Sequence, residues 1–431
     1  MSNTLENKRG KFYGWNNVVL LFLVYSAVMG FLFYGFTVIF PAMITAQGWG
    51  RGEASFAHTI RGFIVGFIAP LVAYSIGKIG NKKTILVGLS FGVVTLFLLG
   101  TVVDQLWQWT LIWGFMIPIT YAFSGGLSIQ TTVTFWFNKK RATALGVVLS
   151  GGAVAGFVAA PFFTFLMQKA GTWRVGWLAV SGILLMALIV SLFIKNKPSD
   201  LGQVPDGIAP EVAAKAASQT VQKKSKTPIY QTHEVWTVKE AWKTPFLYLL
   251  MICRFGQGWA LSLVTVHGVL HLIGSGLSKM EAASVISTLV LFSGISRFPM
   301  GMLGDRISPR VLTAIALAGM TLTMVGLWIA PKNLPLLLTI AGAYGLFFGA
   351  TVILMPALIG NYFGPAGFAP INGSMGPITT FITAPFPMVA GYLFDHYKSY
   401  DYVFMGVVAF MTVSTLCAAL MVPPKKKAAT A

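Results

Sequence analysis

Charge is what this chain has least of. Asp, Glu, Lys and Arg make up 10% of its 431 residues, against roughly 25% in a soluble domain, which excludes an ordinary water-soluble enzyme. Only twelve residues are acidic, and each lies in a polar segment or at the end of an apolar run. An intramembrane aspartyl protease, which needs two mid-span acids, is therefore excluded. Five scattered histidines cannot form the clusters of a membrane di-iron desaturase. The two cysteines, Cys253 and Cys417, both sit in apolar runs and read as small packing residues rather than a disulfide or metal pair. No Walker A phosphate loop occurs, so this chain is not read as an ATP-driven pump. No enzyme activity, metal or cofactor is called for.

Apolar sequence is what the chain has in excess: 55% of it is hydrophobic, with 46 Gly, 33 Phe and 12 Trp. The mean hydropathy is +0.73. Crossing a hydrocarbon core of about 30 Å takes about 20 apolar residues. Twelve such runs are present, at 16–43, 54–77, 83–103, 107–136, 142–168, 174–194, 244–272, 277–304, 311–330, 334–362, 367–394 and 401–422. The expected fold is an all-α membrane protein of twelve spans in two six-helix bundles, 1–195 and 241–431. Between them, 196–240 carries Pro198, Pro205, Pro210 and a Lys-Lys-Ser-Lys run at 223–226, and reads as an exposed linker with at most a short surface helix.

The 31 basic residues exceed the acidic ones by 19, and their placement sets the orientation. Twenty-two fall at the N-terminus, in the 2–3, 4–5 and 8–9 connections, in the linker or in the tail; six fall on the other side. The positive-inside rule places both termini and the linker in the cytoplasm. Because the basic residues punctuate apolar runs, a nucleic-acid-binding face is not expected. Lys8 to Lys11 precede an apolar run too long for a signal peptide and without a small-residue cleavage site, so this reads as a retained span. Short loops point to a cell inner membrane, and a monomer is expected.

The halves repeat each other. Trp136-Phe137, Gly146 and Ala160-Pro161-Phe162 recur as Tyr362-Phe363, Gly373 and Ala384-Pro385-Phe386, and Gly77-Lys78-Ile79-Gly80 falls opposite Asp305-Arg306-Ile307-Ser308. The offset is about half the chain, the signature of a duplicated unit. Such duplications place a substrate site near the midplane, between halves that rock. In these features the chain resembles the major facilitator superfamily. Gly301 to Arg310 is similar to that superfamily's loop motif, with Asp305 and Arg306 as its conformational latch, and Gly77 stands where the first-half copy would carry an acid. Within the superfamily it resembles the monocarboxylate transporter group, which includes oxalate:formate antiporters. The resemblance rests on Tyr13-Gly14-Trp15, on Trp136-Phe137-Asn138-Lys139-Lys140-Arg141-Ala142-Thr143-Ala144-Leu145-Gly146, and on Ser296-Arg297-Phe298-Pro299-Met300-Gly301.

Three basic residues remain inside spans: Arg61, Arg254 and Arg297. Each costs about 2.5–3.5 kcal/mol on insertion scales, so each calls for a polar cavity or a partner. With no mid-span carboxylate available, the counter-charge is expected from an anionic substrate, for which the planar guanidinium fork is suited. Snorkelling or a carbonyl-bonded structural role is the alternative, snorkelling most of all for Arg61, seven residues into span 2. The resemblance implies that Arg297 binds the substrate carboxylate. It also implies an acid at Ser293 in proton-coupled members and a second cation at Thr379 in oxalate carriers; this chain has neither.

His58, one turn before Arg61, is a candidate proton carrier, as are His267 and His271, with helix packing as the plainer role. Tyr34, Tyr121, Gln257 and Asn372 could complete a pocket; the resemblance implies Tyr34 near the site, and for the other three helix–helix hydrogen bonding is the plainer role. Gly152-x-x-x-Gly156 and Gly345-x-x-x-Gly349 mark close helix approach, expected at the moving interface. The expected function is secondary transport of a small organic anion, a monocarboxylate such as lactate, by proton symport or anion exchange. A di- or tricarboxylate or oxalate-type exchanger is the alternative, and a transporter-like sensor belongs to another class. Protons and the lipid bilayer are the other expected partners.

Overall fold

The computed structural model describes residues 12–207, 229–232, 234–329 and 333–426. The basic residues Lys8, Arg9 and Lys11, the Lys-Lys-Ser-Lys run of the linker, Lys332 and Lys427 lie outside these. Every regular element among the described residues is helical. Ten helices are long and apolar enough to cross a bilayer, and Phe56–Phe67 with Ala69–Ile79 makes an eleventh crossing bent by 48°. Pro70, in the first turn of the second segment, suits such a bend because it has no N–H to give. The twelfth comes from the 50-residue helix Leu334–Thr383, which breaks at Gly364 (φ 73°, ψ 172°). Unbroken, it would run about 75 Å, more than twice a hydrocarbon core. Only glycine adopts that backbone freely. Spans 10 and 11 are therefore 334–363 and 365–383, the latter continuing through Ala384-Pro385 into Phe386–Tyr397.

Two apolar cores form. One gathers side chains from Val18 to Ile194, among them Trp109, Trp113, Trp136 and Trp177, together with Ile353 and Ala357. The other gathers Trp236 to Met421. Between them run two seams of small residues. Where span 5 (Arg141–Ala170) meets span 8 (Lys279–Gly304), Gly146 lies so near the Arg297 carbonyl that a Cβ would sit 2.5 Å away; Gly294 abuts Ala153, and Gly301 the Ala142 carbonyl. Where span 2 meets span 11, a Cβ on Gly373 would lie 2.9 Å from Ala73, and one on Gly376 2.9 Å from the Gly66 carbonyl. These contacts lie in the half of each span nearer the linker. The two Gly-x-x-x-Gly pairs are not on these seams. Gly152 and Gly156 receive Tyr25 and Tyr34 of span 1, and Gly345 and Gly349 abut the span 8 backbone, so both pack helices inside one half. Spacing identifies a close approach, not which neighbour makes it.

Closure on the linker face is electrostatic as well as steric. Asp305 accepts the Ala142 and Thr143 amide N–H groups, both at 2.8 Å, placing its carboxylate on the N-terminus of span 5. Burial pushes this carboxyl above its usual range, while the bonds from Thr143 and Ala142 pull it down. Arg306 beside it is exposed. Asp206 of the linker takes the Asn138 and Lys139 amides at 3.0 and 2.8 Å. Arg141, 2% exposed, donates to Asn361 Oδ1 of the other half at 2.7 Å and to Asn138 Oδ1 at 3.1 Å. Gln231 donates to the Asn138 carbonyl and the Thr232 amide to the Asn361 carbonyl, so the linker's return strand touches both halves.

Two outcomes follow. Gly146→Val should cost about 1–3 kcal/mol through overpacking of the span 5–span 8 seam, lowering the melting temperature and raising thiol labelling of an added Ser150→Cys. Asp305→Asn, which turns one of the two acceptor oxygens into an N–H₂ facing an amide donor, should cost about 1–2 kcal/mol and raise the same labelling. Unchanged labelling in both variants would mean that the seam does not hold this face shut.

Candidate functional site

The site is built on helix defects. Span 4 runs Leu106–Trp136 and breaks at Gly125, where the backbone (φ −94°, ψ −148°) separates Ile117–Ser124 from Gly126–Trp136. A Cβ at Gly125 would collide with the Tyr121 carbonyl, so the break needs glycine. π-helical turns at Ser26–Leu32, Thr110–Met116 and Leu263–His267 loosen spans 1, 4 and 7. Such turns are rare and often mark functional regions.

Two cavities share wall residues at this break. One, of about 280 Å³, is lined by Arg61, Tyr121, Met29, Val72 and others, ending at Gly126 and Leu127. The other, of about 440 Å³, begins at the same Gly126 and Leu127 and reaches Gln130, Arg254, Gln257, Thr351, Asn372 and Thr379. Span 4 thus stands between an arginine of each half.

Arg61 is held by neutral groups. Its Nη2 donates to His58 Nε2 at 3.2 Å, and its guanidinium carbon lies 4.7 Å from the Tyr121 ring centroid, a cation–π contact. Arginine has no lone pair to offer, so His58 accepts through Nε2 and carries its proton on Nδ1. The His58 ring lies 4.7 Å from Phe36 and parallel to Trp113 at 6.4 Å. Arg61 Nε, His58 Nδ1 and the Tyr121 hydroxyl are buried without a hydrogen-bond partner. Arg61 points at a cavity inside the half rather than snorkelling to a face.

Arg254 donates from Nη2 to Asn372 Oδ1 at 2.8 Å and from Nη1 to Met375 Sδ at 4.0 Å. Gln257 donates to Thr351 Oγ1 at 2.5 Å. Of the residues singled out in the sequence, Arg61 and Tyr121 share one cavity, and Arg254, Gln257 and Asn372 share the other. The structure does not bring Arg297 or Tyr34 to either. Arg297 lies in the span 5–span 8 seam, where Nη1 donates to the Leu149 carbonyl at 2.6 Å and Nε is buried without a partner. Tyr34 packs over Gly156 in the neighbouring span 1. His267 lies elsewhere, its ring nitrogens bonded to the Tyr400 hydroxyl at 3.1 Å and the Pro387 carbonyl at 3.0 Å. His271 bonds the Leu327 and Trp328 carbonyls. Both are placed as helix-packing groups. The ion pairs among the described residues are Arg174–Asp104 and Lys426–Glu240, so no carboxylate pairs with Arg61, Arg254 or Arg297 there.

Sequence reasoning missed Gln130 and Thr351 in the wall, Arg141 as a buried bridge, and the span 4 break. The Gly125-Gly126 pair inside an apolar run was the available signal for the break, since glycine in a helix interior marks strain or close approach. Arg141 was hidden in its cationic cluster beside Lys139 and Lys140.

The family model of the Major Facilitator Superfamily matches residues 21–328 and 269–431. The chain is 22% identical over 412 residues to monocarboxylate transporter 12 of Rattus norvegicus, covering 91% of this chain and 82% of that one. It is 24% identical over 416 residues to monocarboxylate transporter 13 of the same species, covering 93% and 86%. Among solved structures, the E. coli fucose:proton symporter FucP superposes with a TM-score of 0.68 at 14% identity, covering 96% of this chain and 100% of that one. The proton:xylose symporter XylE superposes at 0.70 and 13% identity, covering 95% of each. Twelve crossings in two packed halves, with a family match over nearly the whole length, carry one conclusion: the chain belongs to the major facilitator superfamily.

Proposed function

We propose that this chain is a secondary transporter of small organic anions, carrying a monocarboxylate such as lactate or a related acid by alternating access. The observation behind this reading is the pair of cavities that share Gly126 and Leu127 as wall residues, each with an arginine that has only neutral partners. A carboxylate supplies the missing charge and fits the guanidinium fork. The relatives' names, monocarboxylate transporter 12 and 13, support the same class. The halves 1–195 and 241–431 rock about the seams, with Asp305 and Arg141 holding the linker face shut. Both termini lie on the cytoplasmic side of a cell membrane, by the distribution of basic residues. His58 stands beside Arg61, whereas His267 and His271 bond helices together elsewhere, so proton symport through His58 competes with anion exchange as the mode of coupling.

Uptake of radiolabelled lactate, pyruvate and succinate into proteoliposomes tests this. Arg254→Gln should reduce uptake of the transported acid at least tenfold, the loss of one charge-assisted pair of about 1.5–3 kcal/mol. Arg297→Ala should also reduce it, by freeing the seam. Binding of an acid without uptake by the unaltered protein would favour a sensor, and undiminished uptake by Arg254→Gln would remove that residue from the substrate's path. Proton symport predicts uptake that collapses with an ionophore, and exchange predicts dependence on trans acid.

A further inference from the structure

We infer that the break in span 4 is the seat of the substrate's carboxylate, formed by Arg61, the Tyr121 hydroxyl and the N-terminus of Gly126–Trp136. This deepens the reading above and rests on it. The resemblance to monocarboxylate transporters directs attention to Arg297, but Arg297 is engaged with the Leu149 carbonyl inside a closed seam. The geometry points instead to a cavity lined by three kinds of donor.

The first is backbone. The N-terminus of Gly126–Trp136 has no side-chain cap, and its N-cap residue is Gly125. The first amides of a helix have no intrahelical acceptor, and the helix dipole puts partial positive charge at that end. Gly126 has no side chain, and the nearest group a Cβ would meet is Gln130 Nε2 at 3.5 Å, so the space beside its Cα is open. A helix end alone would not be a site. Here the cavity at that end is also lined by Tyr121, a residue 4% exposed whose buried hydroxyl has no hydrogen-bond partner. It holds Arg61 too, whose Nε is buried without a partner. His58 ties up one Nη2 proton from behind and so acts as a positioning residue. A buried hydroxyl and a buried guanidinium N–H each cost free energy when unmade. One planar carboxylate, accepting from Arg61, Tyr121 and the Gly126 or Leu127 amide, would satisfy all of them and neutralise the charge. A discontinuous span whose half-helix N-terminus meets an anionic group is a known way to build a midplane site.

The seat also orients the substrate. With its carboxylate at the break, the remainder of the acid extends past Leu127 into the larger cavity, toward Gln130, Arg254, Gln257 and Asn372. That wall donates and accepts hydrogen bonds, so a short acid with a polar far end suits it better than an alkyl acid of equal length.

The test is affinity in detergent, by thermal shift and intrinsic tryptophan fluorescence, with lactate, pyruvate and succinate as carboxylate probes and sulfate as the non-carboxylate oxyanion. Wild type, Arg61→Gln, Arg61→Lys, Tyr121→Phe and Arg297→Gln are compared, each melted first without ligand to establish folding. The seat predicts that Arg61→Gln weakens the best acid at least tenfold, that Tyr121→Phe weakens it three- to tenfold, and that Arg61→Lys recovers part of the loss. Arg297→Gln should leave binding within about threefold. If Arg61→Gln does not fold, Tyr121→Phe and Arg61→Lys carry the test. Wild-type affinity in Arg61→Gln or Tyr121→Phe, with loss in Arg297→Gln, overturns the seat and leaves organic-anion transport standing. Equal stabilisation by sulfate through the same residues overturns the carboxylate assignment. Absence of any stabilisation of wild type by the acids overturns the transport reading and the seat with it.

Discussion

A guanidinium in a low-dielectric interior must find hydrogen-bond acceptors, and its charge is then still unbalanced if those acceptors are neutral. The rest of the site follows from that constraint. Arg297 takes a backbone carbonyl, Arg254 an amide oxygen and a thioether, Arg61 an imidazole and a ring face. Each arrangement meets part of the donor inventory and none supplies a negative charge. Replacing these partners by carboxylates would settle the charge permanently and leave an inert structural ion pair. Neutral partners instead leave the arginines held in place and electrostatically receptive.

The same interior forbids loose backbone, so the helices can be interrupted only where something else satisfies the freed groups or a cavity lies alongside. The interruption at Gly125 stands against both cavities, and the bend near Pro70 lies in the span that carries Arg61. The seams obey a different requirement. Without a hydrophobic drive between helices in lipid, close approach depends on small residues. Gly146, Gly294 and Gly301 let span 8 lie against the backbone of span 5. Asp305 and Asp206 then sit on the exposed amides at the start of span 5, where the helix end favours negative charge. Steric fit and ion–dipole attraction act at the same end of the same helix.

Much of this was legible in the sequence. Hydrophobic run length alone locates the crossings, because bilayer thickness dictates it, and the half-chain offset locates the duplication. Counting carboxylates against arginines isolated Arg61, Arg254 and Arg297, since charge in hydrocarbon is rare enough to stand out. What sequence could not say is where around a helix each arginine points. Arg297 has the strongest family resemblance of the three and yet faces a seam, while Arg61, where snorkelling was a real alternative, faces a cavity. Gly152 and Gly156 illustrate the same gap: their spacing shows that a helix comes close, and Tyr25 and Tyr34 of the same half turn out to be what comes. Arg141 was unreadable for a further reason, because a buried bridge and a solvated topogenic charge look identical in a Lys-Lys-Arg cluster.

These placements bear on how substrate and motion could be linked. The bond from Arg297 to the Leu149 carbonyl spans the two halves, so rocking that opens the linker face must break it. Breaking it exposes a cation that already has one unpartnered nitrogen. In an empty protein that cost opposes opening, as does the loss of the Asp305 and Arg141 contacts. An anion within reach of Arg297 as the seam parts would offset the cost, so opening would be easier with cargo than without it. On this argument Arg297 need not hold the carboxylate in the closed state in order to matter for transport. Under the proposed function it would act on the barrier between states, and Arg61 and Arg254 on affinity. A substitution at the seam would then alter rate more than binding, and one at the span 4 break would do the reverse.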